Sequence, residues 1–260
     1  MTGQQDDWDS NNRSIQWDNF DADAYQKHYF GGRLEAEDKW SMLALATRLK
    51  EQLTPDSIEH AVDVGTGPSL VLPLAIAPYV KQLDLIEPGK QNVEYLKATL
   101  KDRKKMEDDW KLTIQCLQEF DSDIYGNVAE LLMERATVYP NFAQDILEKE
   151  KYGALTMGFC AGSNSDDHDE TAKFMQIVLS SVKPGSLYAA MHTLNSGPYP
   201  DWSTKQGSVD MAKFPSLKTS HSWYAQQYKD TGIELYKSPM TQMRPDYDGT
   251  LLALGFTTQS

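Results

Sequence analysis

The stretch Ala61-Val62-Asp63-Val64-Gly65-Thr66-Gly67-Pro68-Ser69 constrains this chain more than any other. An apolar run breaks into a tight glycine turn, and the apolar segment after it can form a helix. Strand, glycine turn and helix in that order are how a nucleotide-type cofactor loop reads in a parallel α/β sheet.

The loop departs from the dinucleotide pattern. A dinucleotide loop needs a third glycine three residues after the second, so that backbone can close on a pyrophosphate, and that position is Leu70. Asp63, at the end of the apolar run, would repel a diphosphate. The same acid suits a cofactor that carries an adenosine, no phosphate, an ammonium and a sulfonium, which is S-adenosylmethionine. Glu87 closes the next apolar run, Leu83-Asp84-Leu85-Ile86, and lies 20 residues past Gly67, where a ribose diol finds its carboxylate. A Gly-x-Gly alone is weak, and the plain alternative is an ordinary strand-to-helix turn capped by Ser69.

A chain of 260 residues with formal net charge −13 is long enough for one large core, and its charge argues against nucleic-acid backbone or an anionic membrane surface as partner. A small molecule, neutral or cationic, fits better. Cys116 and Cys160 make no disulfide framework and have no metal-ligand spacing, so no metal is expected from them. The start of the chain lacks the basic and apolar regions of a signal peptide, and no apolar run nears the ~18 residues of a membrane helix. A cytoplasmic monomer without membrane attachment is the simplest expectation.

Taken in order, residues 1–14 are too polar to bury a core and are expected to be disordered or loosely packed. Tyr25 and Tyr29 share one face of a helix that the glycine pair Gly31-Gly32 ends, and residues 34–53 carry a helical apolar stripe. Together, 15–54 are expected to form a helical lid or cap, and 55–260 the cofactor-binding domain. After the loop, a buried helix is expected over 70–79, a strand over 82–87 and a helix over 92–100. A strand follows over 110–120, a helix over 123–135, and a strand over 136–146 ending in Asp145-Ile146. An acid and an apolar residue at a strand end can bracket an adenine, and a turn aspartate is the equal alternative. A central strand spans 152–160, and a helix follows to about 181. The acids between Asp166 and Glu170 suit either the helix dipole, the favoured reading, or a metal. A turn over 182–186 leads to a strand over 187–193. A long irregular section, about 195–220, is expected to be a functional insertion. A helix over 221–231 and strands over 233–236 and 250–256 complete a doubly wound, mostly parallel sheet with an antiparallel end.

From about Phe20 to Phe256 these residues resemble the nicotinamide, phenylethanolamine and indolethylamine N-methyltransferases and their bacterial relatives. The most specific features are Asp63-Val64-Gly65-Thr66-Gly67-Pro68-Ser69 with its proline directly after the second glycine, the Tyr25/Tyr29 block upstream, and Val182-Lys183-Pro184-Gly185 before a strand. The resemblance implies a Rossmann-like class I methyltransferase: a seven-stranded, mostly parallel sheet with helices on both faces and an N-terminal helical lid. By position, Tyr25 and Tyr29 would close over S-adenosylmethionine, and Gly65, Thr66 and Val71 would line its methionine end with Asp63, Gly67 and Gly158 nearby. Glu87 and Asn92 would hold ribose and adenine, and Asp145 and Ile146 the adenine. Where animal relatives have an acid at the end of the fifth strand, this chain has His192. Ser196, Tyr199 and Ser216 match polar acceptor-pocket positions, and Asp246 falls near another acid used for amines.

The expected activity is methyl transfer from S-adenosylmethionine to a small-molecule nitrogen, releasing S-adenosylhomocysteine. O- or S-methylation, a non-catalytic cofactor-binding protein and, less well supported, a nicotinamide-dependent oxidoreductase are the alternatives. His192 and Tyr25 are the candidate catalytic residues. His192 is either a base with a pKa near ~6.5 or a strand-end histidine satisfied by its neighbours.

Overall fold

A computed structural model of the protein describes residues 20–165, 167–196, 217–239 and 248–258. The expectations for residues 1–14, for most of the insertion and for Tyr199, Ser216 and Asp246 lie outside the described residues.

Helix α1 (Ala22–Tyr29) is capped by Asp21, whose side chain accepts from Ala24 N at 2.9 Å. Helix α2 (Ala36–Gln52) leads to β1 (Ile58–Val64), then α3 (Val71–Ile76), a 3-10 turn (Ala77–Tyr79) and β2 (Val80–Ile86). Five helices follow without a strand between them, the first four being α4 (Lys90–Lys101), α5 (Arg103–Asp109), α6 (Lys111–Phe120) and α7 (Ser122–Tyr125). Next come α8 (Val128–Arg135), β3 (Ala136–Tyr139), α9 (Ala143–Ile146) and β4 (Tyr152–Gly158). The described chain closes with α10 (His168–Ser180), β5 (Val182–Thr193), α11 (His221–Gln227), β6 (Ile233–Lys237) and β7 (Thr250–Phe256).

The strands form one sheet of seven in the order β3-β2-β1-β4-β5-β7-β6. Pairings from β3 to β5 are parallel, and β7 is antiparallel to both neighbours. The chain winds outward from β1 to β3 and then returns to the other side of β1, so the winding reverses between β1 and β4. In an open parallel sheet the carboxyl ends of the strands at that reversal bound the ligand crevice. Side chains alternate across the sheet. Ala61, Leu83, Leu85, Ala154, Leu187 and Ala189 face the core built with α2, α3, α6 and α8. Val62, Val64, Leu155, Met157, Tyr188 and Ala190 face the core built with α10 and α11.

Two strand expectations are overturned. Residues 111–120 are helical as α6 with Trp110 at its N-cap, although Trp110, Leu112, Ile114 and Cys116 alternate with polar residues as a strand would. The same sequence also satisfies a helical period, and burial follows that one: Trp110, Thr113, Ile114 and Leu117 are buried while Leu112 is 37% exposed. The strand over 136–146 stops at Tyr139, because Pro140 has no N–H for the ladder. Asp145 and Ile146 therefore lie on α9, past the strand and not at its end. The helix expected over 123–135 is two, parted at Gly126-Asn127. The turn at 182–186 is absorbed into β5 as an irregularity: Tyr152 pairs with Val182 and Ala154 with Leu187, with Gly185 at φ 75°.

Candidate active site

Asp63, Gly65, Glu87 and Gly158 come from the carboxyl ends of β1, β2 and β4, so parallel pairing alone sets them along one edge. Glu87 ties that edge together. Its Oε2 accepts from Gly67 N at 2.8 Å, and its Oε1 accepts from Gly89 N at 2.8 Å and from Asn92 Nδ2 at 3.0 Å. The turn is closed from the other side, where Thr66 N donates to Ile86 O at 3.1 Å and Thr66 Oγ1 to Asp63 O at 3.3 Å. A carboxylate offers about four acceptor positions, and three are used within the protein. Holding both hydroxyls of a ribose diol requires one of these bonds to be shared or given up. Burial raises the Glu87 carboxyl above its ordinary range, against the lowering effect of Asn92, Gly89 and Gly67.

Asp63 is buried and paired in register with Thr156 of β4, whose Oγ1 donates to its Oδ1 at 2.5 Å. Burial pushes the Asp63 pKa up to about 7, with the hydrogen bonds from Thr156 and Thr66 opposing and the nearby Glu87 reinforcing the shift.

The glycines have separate reasons. Gly65 takes φ 63°, and a Cβ there would fall 2.3 Å from Cys160 Sγ, so thiol and loop backbone are in direct contact. Gly67 takes φ 57° and faces open space: a Cβ there would meet nothing within 4 Å. Beside this gap the Asn92 side chain is buried, with Oδ1 making no hydrogen bond. An open backbone approach at Gly67, a buried diol-type acceptor at Glu87 and an orphaned amide oxygen at Asn92 fit an adenosine-bearing ligand.

The other expected cofactor residues are arranged less tightly. Val71 is buried as the first residue of α3, and Gly158 ends β4. Tyr25 and Tyr29 are half-buried on α1, ring centroids 4.7 Å apart, and pack against the core on the α2 side of the sheet. Asp145 is exposed and Ile146 half-buried on α9. Of the acids around the start of α10, Asp167 serves as the cap, its side chain accepting from Asp169 N and Glu170 N at 2.8 and 2.9 Å. Among the described residues no group of His, Cys, Asp and Glu could hold a metal ion.

Beyond β4 and β5, four segments converge. Leu217 N donates to Gly162 O at 3.0 Å, Asn195 N to Thr219 O at 2.8 Å and Leu194 N to Gly249 O at 2.9 Å. Ser196 is buried here. His192, one residue before the end of β5, points to the α10/α11 side. Its Nε2 lies 2.7 Å from Tyr228 Oη, which lies 2.9 Å from Tyr188 Oη, and its ring stacks on Tyr224 at 4.2 Å. Burial alone pushes its pKa down to about 3, so the expected value near ~6.5 does not hold and the imidazole is neutral at physiological pH. Its Nδ1 is buried without a hydrogen bond.

Thr156 and Cys160 were absent from the sequence-derived site. A polar residue inside the apolar run 154–157 is the signal for Thr156; Cys160 has none beyond its place after that run.

No protein-family model matches the chain and no curated protein matches its sequence. Solved structures match its fold. It is similar to a SAM-dependent methyltransferase from Methanosarcina mazei, with TM-score 0.58 and 9% identity over 82% of this chain and 98% of that one. The N-methyltransferase NodS from Bradyrhizobium japonicum WM9, in complex with S-adenosyl-L-homocysteine, has TM-score 0.54 and 9% identity over 92% of this chain and 98% of that one. The 1,6-didemethyltoxoflavin-N1-methyltransferase of Burkholderia thailandensis, solved with bound 1,6-didemethyltoxoflavin and S-adenosylhomocysteine, has TM-score 0.53 and 10% identity over 92% of this chain and 87% of that one. The fold is therefore the Rossmann-like class I methyltransferase fold, mostly parallel with seven strands.

Proposed function

We propose that this chain is an S-adenosylmethionine-dependent methyltransferase acting on a nitrogen of a small-molecule acceptor. The observation that carries the reading is the buried Glu87 carboxylate, hydrogen-bonded to the Gly67 amide at the carboxyl edge where the winding reverses. That the structural neighbours include enzymes crystallised with S-adenosylhomocysteine, two of them N-methyltransferases, supports it.

When bound, the cofactor supplies a methyl carbon on a cationic sulfur. The work of the chain's own residues is to bind, orient and exclude water. Glu87 and Asn92 take ribose and adenine, with Asp145 and Ile146 at the adenine's outer side. Asp63, Gly65, Thr66, Gly67, Val71 and Gly158 line the methionine end, where Thr156 fixes the rotamer of Asp63 and Cys160 backs Gly65. Tyr25 and Tyr29 cover the site. Ser196 contacts the acceptor, and His192 positions it as a neutral hydrogen-bonding group, since an imidazole held this far below neutrality is a poor proton acceptor.

Isothermal titration with S-adenosylhomocysteine and with NAD is the direct test. The first should bind and the second should not. In Glu87→Ala, S-adenosylhomocysteine should lose about 1.5–3 kcal/mol, the range for hydrogen bonds to a charged group. Equal affinity in variant and wild type would remove Glu87 from the site and the reading with it.

A further inference from the structure

Helix α2 enters the fold with acids at inward positions. Glu37 is 0% exposed, Asp38 7% and Ser41 0%. Asp38 opens the buried stripe Asp38, Met42, Leu45, Leu49, in which every other member is apolar. A helix dipole accounts for acids in a first turn, but it favours them in solvent as readily as inside and leaves the burial unexplained.

The position of this turn is set by contact with the far side of the sheet's carboxyl edge. Thr250 Oγ1 donates to Glu37 Oε2 at 2.9 Å, and a Cβ on Gly249 would lie 3.9 Å from Glu37 Oε1. Thr250 is the register partner of Thr193, and Gly249 O accepts from Leu194 N. The acids thus adjoin the place where the segments beyond β4 and β5 converge, outside the glycine-loop cluster.

Among the described residues, no opposite charge compensates Asp38. Among the described residues no Lys, Arg or His pairs with Asp38, and no hydrogen-bond donor serves it. Lys237 passes nearby, its Cε 3.9 Å from the same Gly249 Cβ position, and forms no ion pair with Asp38. Burial pushes the Asp38 pKa up to about 7, with Glu35 and Glu37 adding to the shift. Independently of the acids, the Ser41 hydroxyl is buried without a hydrogen bond. It lies three and four residues after Asp38 and Glu37, which puts it on their face of the helix one turn further on.

We propose that Asp38, Glu37 and Ser41 bind a cationic nitrogen, an ammonium or amidinium group, of the methyl acceptor. The proposal rests on the methyltransferase reading above and narrows its substrate class. Two carboxylates and a hydroxyl are all acceptors, matching the several N–H donors of such a group, whereas an alcohol brings no charge and a carboxylate is repelled. A buried carboxylate without a partner costs stability, and a ligand cation offsets that cost on binding.

The test is titration of the full chain, with and without saturating S-adenosylhomocysteine, using matched probes: benzylamine, benzyl alcohol and benzoate, then propylamine, 1-propanol and propionate, then benzamidine. The amines or the amidine should bind at least tenfold tighter than the matched alcohols and carboxylates. Asp38→Asn should cut that preference at least tenfold and Ser41→Ala severalfold, with S-adenosylhomocysteine affinity within twofold of wild type. The ligand-free Tm of Asp38→Asn should rise at pH 8, as expected when an unpaired buried charge is removed. Absence of any cation preference in the wild type, or its survival in both variants, overturns the proposal. A lower Tm with the preference kept makes Asp38 a scaffold residue and overturns it too. If Asp38→Asn does not fold, Ser41→Ala carries the test. Failure of S-adenosylhomocysteine to bind while the amine preference stands defeats the methyltransferase reading alone, and binding of S-adenosylhomocysteine without amine preference defeats this site alone.

Discussion

At the scale of the residue, the two glycines of the loop look alike in sequence and differ in consequence. Alanine at either position adopts a left-handed φ at a cost of about 1–2 kcal/mol. Only at Gly65 does the new methyl group also collide, with Cys160 Sγ 2.3 Å away. Gly65→Ala should therefore lower stability clearly more than Gly67→Ala, and Cys160→Gly should recover the steric part in the double variant but not the backbone part. Chemical denaturation of the four proteins gives the coupling, and additive effects would show that the thiol does not press on the loop. His192 makes the complementary case. His192→Ala removes one of the two partners of the buried Tyr228 hydroxyl, Tyr188 remaining, a loss of about 0.5–1.5 kcal/mol before the cost of the cavity left behind. With the imidazole pKa pushed down to about 3, no limb of the wild-type pH–rate profile near neutrality belongs to it. A neutral-range limb that disappears in the variant would contradict the buried, neutral imidazole. Asp63, Gly65, Gly67 and Glu87 were legible because local spacing encodes them. Thr156 was not, since its hydroxyl reaches Asp63 only once β4 lies beside β1, 93 residues apart in the chain.

At the scale of the element, α1 and α2 follow each other in sequence but are bound differently. Met42, Leu45, Ala46 and Leu49 of α2 are all 0% exposed and share one core with the sheet. Leu45→Ala should cost about 2–5 kcal/mol. Helix α1 buries fewer residues, and its Tyr25 and Tyr29 remain half-exposed. Tyr25→Ala should accordingly weaken S-adenosylhomocysteine binding while changing the ligand-free Tm by only a few degrees. A drop as large as that of Leu45→Ala, with normal binding, would make α1 scaffold and not cover. Periodicity conveyed α2, α4 and α10 because each has a single consistent reading. It failed at α6, where alternation and helical spacing coexist and only tertiary packing of Trp110 and Leu117 selects one. At β3 the expected strand was cut short by a single proline.

At the scale of the whole molecule, the buried titratable groups oppose one another in their dependence on pH. Asp63 and Asp38 are both raised by burial to about 7. Between an unfolded value near ~3.9 and 7, the folded state holds these protons and the unfolded state has released them, so stability falls as pH rises through that window. His192, lowered by burial to about 3, acts in the reverse sense. Between that value and about 6.5 the unfolded state binds the proton, so stability rises with pH. Glu87, whose carboxyl burial also raises, adds to the falling side, so the falling contributions outweigh the rising one and leave a net decline. Because the wild-type slope is what remains after opposing contributions cancel, comparison of variants is needed to separate them. In Asp63→Asn the amide oxygen can still accept from Thr156, so the contact survives while the titration is lost. The Tm of that variant relative to wild type should climb from pH 4 to pH 7 and then level off. Parallel curves for the two proteins across this range would mean that Asp63 does not hold its proton in the folded state.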